Sequence, residues 1–116
     1  MTLPKTDKEF QILLVSTLKK VCPIVYEGDY VGDEADSYIT FTYYRRGLMF
    51  ANGKPTASVW NCFVYLWVRK GVDAFPMREA LPKAVLDMGA TYPVEEIETD
   101  GEWKSYVFEF QYGGSV

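Results

Sequence analysis

The sequence predicts an α+β domain: a mostly antiparallel sheet of four or five strands, two helices on one face, and a long protruding β-hairpin. Three observations lead there. Two stretches rich in β-branched and aromatic residues, Ser37-Tyr-Ile-Thr-Phe-Thr-Tyr-Tyr44 and Ala57-Ser-Val-Trp-Asn-Cys-Phe-Val-Tyr-Leu-Trp-Val68, flank Asn52-Gly53. Such residues suit a pleated surface, and Asn-Gly is the pair a tight hairpin turn demands. Two segments with helical spacing lie on either side of that hairpin, and a second pair of strands closes the chain.

The first helix is predicted from about residue 7 to about 20. Thr6-Asp-Lys-Glu9 has the form of a capping box, and Phe10, Leu13, Leu14, Thr17, Leu18 and Val21 follow at helical intervals. Lys19 and Lys20 suit the negative end of the helix, and Pro23 stops it. Ile24-Val25-Tyr26 reads as a short strand at an edge. Residues 27–36 hold Glu27, Asp29, Asp33, Glu34 and Asp36 with two glycines, the composition of a loop. Clustered carboxylates are what a hard cation such as calcium takes, but the spacing is not that of an EF-hand. A solvated acidic loop is the expectation.

The hairpin occupies Ser37–Lys70, with a bend or bulge expected at Arg45-Arg46-Gly47. The two arginines suggest an anion site or, more simply, a solvated face. Asp73 is a plausible N-cap for a second helix, with Pro76 in its first turn and Phe75, Ala80, Leu81, Ala84, Val85 and Met88 as its apolar stripe to Gly89. Pro82 requires a kink, or a helix that starts only near Leu81. Val94–Glu98, a turn at Thr99-Asp100-Gly101-Glu102, and Trp103–Tyr112 make the last hairpin. Tyr106, Phe108, Phe110 and Tyr112 form its buried side, and residues 113–116 a flexible tail.

At 116 residues with 48% hydrophobic content the chain reads as one domain with ample core. The net charge of −4 argues against general affinity for nucleic acid. No apolar run approaches the roughly 20 residues of a membrane span. The opening Met-Thr-Leu-Pro-Lys lacks the form of a signal peptide, which predicts folding in the cytosol. Cys22 and Cys62 make no CxxC motif and are expected as reduced thiols, with Cys62 in the core.

Nothing points to catalysis. There is no histidine, no Gly-rich phosphate loop and no Ser or Cys nucleophile motif, so neither a catalytic residue, a cofactor nor a metal is assigned. Glu95, Glu96 and Glu98 are expected as a solvated strand edge that discourages aggregation. The strand around residue 64 is apolar on both sides: Trp60, Cys62, Val64, Leu66 and Val68 on one, Phe63, Tyr65 and Trp67 on the other. Two helices cover one face of a small sheet, so the second set is expected either under the loop of residues 27–36 or on an open face, as a protein-binding surface and a candidate subunit interface.

The order of elements resembles the tail terminator, or tail completion, proteins of long-tailed bacteriophages and prophages, including the tail-to-head joining proteins. The resemblance rests on Ser37–Tyr44, the Ala51-Asn52-Gly53 tip, Phe63-Val-Tyr-Leu-Trp-Val-Arg-Lys-Gly71, the helix after Asp73, and Tyr106-Val-Phe-Glu-Phe110. It implies a non-enzymatic virion protein at the head-proximal end of the tail, assembled in the host cytoplasm as a ring, typically of six copies. Such a ring caps the tail tube, halts its growth, and meets the head-tail connector proteins, with no sequence-specific nucleic acid and no membrane as partners. On the physical reading, Leu48, Met49, Phe50, Asn52 and Gly53 form a docking hairpin. Glu27, Asp29, Asp33, Glu34 and Asp36 would face a channel and repel passing DNA. The alternatives are another neck or minor tail protein, or a small intracellular module binding a peptide or small molecule on the aromatic face.

Overall fold

The computed structural model describes residues 3–29, 35–51 and 53–114; the side chains of residues 48–51, 54–56 and 114 lie outside that description. The element order is α1 (Asp7–Leu18), β1 (Val25–Glu27), β2 (Ser37–Ala51), β3 (Lys54–Arg69), α2 (Phe75–Asp87), β4 (Val94–Asp100) and β5 (Trp103–Gly114). The strands form one sheet in the order β1-β2-β3-β5-β4. Every neighbouring pair is antiparallel except β1 with β2. This is the expected α+β fold, with five strands.

Thr6 caps α1 by accepting the Glu9 N–H on its hydroxyl at 3.1 Å, and Glu9 reaches back to the Lys5 N–H at 3.1 Å. The helix stops at Leu18, so Lys19 is its C-cap and Lys20 lies beyond it. Phe10, Leu14, Thr17 and Leu18 form its buried stripe. In α2, Asp73 accepts the Phe75 N–H at 3.0 Å, but Ala74 is the N-cap, so the aspartate acts one position early. The helix runs unbroken through Pro82, which removes one backbone bond without ending it. Gly89, at φ 102°, closes it. Phe75 does not join the apolar stripe: it is 60% exposed.

Both helices lie on one face of the sheet. α1 covers the β2–β3 side, where Phe10 stacks on Trp60 at 4.5 Å and the Trp60 indole N–H donates to Asp7 at 2.8 Å. α2 covers the β5–β4 side, where Arg78 sits 4.4 Å over Tyr106 and holds Glu95 of β4 through two hydrogen bonds. Between helices and sheet lies the core, with Ile39, Phe41, Trp60, Cys62, Val64, Leu66, Phe108 and Phe110. Cys22 and Cys62 are free and buried, and burial pushes the Cys62 thiol up to about 12.

The β2–β3 register keeps one offset from Ser37↔Val68 to Ala51↔Lys54, and the tip leaves two positions, 52 and 53, between the strands. Gly53 has φ 77°, the left-handed geometry such a turn needs. The expected bulge at Arg45–Gly47 is absent: Arg45 pairs with Trp60 and Gly47 with Ser58 in unbroken order. The last turn also differs from expectation. Asp100 is still strand, paired with Trp103, and the turn is Gly101-Glu102. Gly113 and Gly114 are not tail but the end of β5, paired with Val59 and Ser58. Beyond that level β2 and β3 continue as a two-stranded ribbon, which contributes to an elongated shape of 54 × 24 × 22 Å.

Candidate functional site

The candidate site is the sheet face away from the helices. Strand alternation and register build it. Phe63, Tyr65 and Trp67 of β3 stand beside Thr42, Thr40 and Tyr38 of β2, and beside Glu109, Val107 and Ser105 of β5. The three predicted aromatics therefore share one face, as expected. All three are half-buried, on the face opposite to that on which α1 and α2 pack.

Among the described residues, neighbours within the sheet supply that partial burial. Tyr65 stacks on Trp67 at 6.3 Å, and Trp67 on Tyr38 at 6.0 Å. Trp103 meets Tyr38 edge-on at 5.1 Å, and the Arg69 guanidinium sits 4.4 Å over Trp103. The Trp67 indole N–H donates to Thr40 at 3.0 Å. Farther along, Tyr44 stacks on Phe63 at 6.4 Å and remains 53% exposed. Under this layer lie small buried polar residues, Thr40, Asn61 and Ser105. Asn61 accepts from the Gln111 amide at 2.8 Å, while its own Nδ2 is buried with no partner among the described residues.

Tyr38, Trp103 and Arg69 belong to this face and are missing from the sequence reading. The signal for Tyr38 was present. A two-residue loop at Asn52-Gly53 places Tyr38 opposite Trp67 by counting back along both arms. Arg69, two residues past Trp67 on β3, was reachable by the same alternation, whereas the place of Trp103 beside them depends on the β3–β5 register, which no short turn sets.

The other candidates are dispersed. Arg45 and Arg46 point to opposite faces and cannot form one anion site. Arg45 donates to Ser58 at 3.1 Å and to the Lys5 carbonyl at 2.8 Å, and packs on Trp60; Arg46 is exposed on the aromatic face. Of the acidic segment, Glu27 is not loop but the end of β1, and Asp29 and Asp36 are exposed. Asp33 and Glu34 lie outside the described residues. No cluster of metal-ligating side chains occurs among the described residues. The described ends of this segment meet different strands: Gly28 donates to the Phe41 carbonyl of β2, and Arg69, the last residue of the central strand β3, donates to the Ala35 carbonyl at 3.3 Å. The hairpin candidates Leu48, Met49 and Phe50 are placed by their backbone in β2 and Gly53 in the turn, while Asn52 lies outside the description.

Two hollows flank the aromatic layer or lie behind it. One of about 250 Å³ is on the open face, between Phe63, Tyr65 and Val107 on one side and Glu96, Glu98 and Glu109 on the other. The other, about 520 Å³, lies between α1 and β2 and is lined by Ile12, Val15, Gln11 and Tyr43. Burial, with lesser help from Glu27 and Asp7, raises the Tyr43 phenol above its ordinary value, so it is a neutral donor to Gln11 at 2.9 Å. No protein-family model and no curated protein matches the chain.

Proposed function

We propose that this chain is a structural subunit of a long-tailed bacteriophage or prophage virion, acting at the head-proximal end of the tail. Copies form a ring that caps the tail tube, stops its elongation, and offers the opposite surface to the head-tail connector proteins. The mechanism is geometric and uses no cofactor: one face of the ring matches the tube end and the other closes it to further tube subunits.

The observation that carries this reading is the aromatic layer Tyr38, Phe63, Tyr65, Trp67 and Trp103 on the sheet face opposite α1 and α2. A half-exposed aromatic layer on a small sheet is a surface for burial against protein. The two-stranded ribbon beyond Ser58 supplies an arm that reaches past the subunit body. Glu27, Asp29 and Asp36 add negative charge that would keep DNA phosphates from adhering to a channel wall.

The test is tail-tube growth in vitro. A tail-tube protein of the same virion should polymerise without limit alone and stop at capped ends when the chain is added. Trp67→Glu should fold, by circular dichroism, and fail to cap. Unlimited tube growth in the presence of the wild-type chain would sink the proposal.

A further inference from the structure

The sheet has two open edges of opposite charge, and we infer that they join: β4 of one copy adds, antiparallel, to the outer edge of β2 in the next. This rests on the ring reading above and assigns its lateral contact. β4 is an edge strand of seven residues, exposed throughout, carrying Glu96, Glu98 and Asp100 on the aromatic face. On the opposite side of the sheet β1 covers β2 only from Ile39 to Phe41. Among the described residues, β2 has no strand on its outer side beyond Phe41. That free edge carries Arg46 on the same aromatic face, with no ion-pair partner among the described residues.

Direction, phase and length all agree. β4 runs opposite to β2 within one sheet, so copies set side by side in the same orientation place the two edges antiparallel. Ile39 and Phe41 bond outward to β1, so the odd residues Tyr43, Arg45 and Gly47 also direct their backbone groups outward. Gln111 bonds toward the β4 side, so on β4 the even residues pair with β5 and Glu95, Ile97 and Thr99 point outward. Arg45 can thus face Ile97 as a bonded pair. Arg46 then faces Glu96 as a non-bonded pair, the kind whose side chains lie closest. In that register β4 occupies Thr42 to Leu48, immediately beyond the stretch β1 already covers.

The geometry also bends toward closure. Glu96 is level, through Val107 and Tyr65, with Thr40 of its own copy, so meeting Arg46 shifts the next copy by six residues. Six residues at ~3.3 Å over four strand spacings of ~4.8 Å tilt the strands by roughly 45°, at the upper end of the 35–45° typical of closed barrels. The charges choose this pairing over others. Two β4 edges would set carboxylate against carboxylate, and two β2 edges Arg46 against Arg46, so only the head-to-tail joint is attractive. The hollow between Glu96, Glu98 and Tyr65 lies beside that joint and can take the neighbour's guanidinium.

Cysteine cross-linking tests this on the whole chain, since the native Cys22 and Cys62 are buried. Arg46→Cys and Glu96→Cys proteins, mixed under oxidising conditions, should give a disulfide-linked heterodimer and neither homodimer. A chain carrying both substitutions should give a ladder ending in a closed ring. Arg46→Glu or Glu96→Arg alone should abolish assembly, and the two together should restore it. Homodimers of either cysteine variant, or no 46–96 cross-link, overturn the inference. A ring seen by mass without that cross-link removes the edge joint and leaves the tail reading standing. A ladder from a chain that does not limit tube growth supports the joint and removes the tail reading.

Discussion

The two faces of β3 are made from one run of residues and differ in what covers them. Trp60, Cys62, Val64, Leu66 and Val68 are sealed by other elements, α1 and α2, to 2% exposure or less. Among the described residues, Phe63, Tyr65 and Trp67 meet side chains of the same sheet, and they stop at half-buried. Burial by a separate element removes water from both partners and locks the strand into the core. Burial by lateral stacking leaves each ring with one face to solvent. The lesson is that an apolar strand face need not be a core face. The hydrophobicity is similar on both sides, and the energetics should not be.

Two tryptophans on the same strand break or sharpen that contrast most directly. Trp60→Ala removes the Phe10 stack and the bond to Asp7 from the core, and should cost about 3–5 kcal/mol in denaturant unfolding. Trp67→Ala loses lateral stacking and one bond to Thr40, and should cost about 1–2 kcal/mol. Equal costs would mean that the open face is a second core and not a docking surface. The covered face also holds a titratable probe. The Cys62 thiol is raised to about 12 in the folded chain, above its ordinary 9.0, so the folded state keeps a proton that the unfolded state releases. That contribution is complete below pH 9 and is lost as pH climbs from about 9 to about 12, at about 1.4 kcal/mol per pH unit. The raised phenols of Tyr43 and Tyr112 act in the same direction. Cys62→Ala should flatten the alkaline fall; an unchanged slope would show that the thiol is not sealed.

The ribbon beyond Ser58 has no third strand among the described residues. Replacing residues 48–57 by a minimal Asn-Gly turn should change unfolding by less than about 1 kcal/mol, yet abolish tube capping. A chain that no longer folds would place the ribbon in the core. The smallest effect is expected at the rim of the covered face. Glu95→Gln weakens the pair with Arg78, one-third exposed on each side, and should cost under about 1 kcal/mol, less in high salt. A larger loss would mean that β4 depends on α2 for its place in the sheet.

Much of this was legible where a local rule decides. The Asn-Gly turn fixed the hairpin register, and period-2 alternation sorted β3 and β5 into their faces correctly. Long-range pairing escaped such rules. Gly113 and Gly114 look like a tail because glycine favours coil, yet β3 offers them a ladder. The bulge read at Arg45–Gly47 is overruled by Arg45 itself, which is held in register by Ser58 and Trp60 across the strand. Pro82 remains inside α2 because Leu81 and Val85 on either side of it are packed in the core, and that outweighs one missing bond. Of the site, the β3 aromatics were readable, while Trp103 and the complementary edges required the strand order.

That strand order has a consequence for biogenesis. β3 gains its first neighbour, β2, from the adjacent segment, but its second, β5, begins only at Trp103, after α2 and β4 have been made. With translation at roughly 5–20 residues per second, β3 waits about 2–7 s beside the ribosome with one edge bare. α1, made first, already carries Phe10 and Leu14 and can shield the hairpin's core face during that wait, whereas the Val64–Leu66 edge has no early guardian. Protease protection of ribosome-bound chains ending at Lys70 and followed by a flexible linker long enough to clear the exit tunnel should therefore appear in α1 and the β2–β3 hairpin together; a hairpin digested as freely as the linker would show that the sheet forms only once β5 is available.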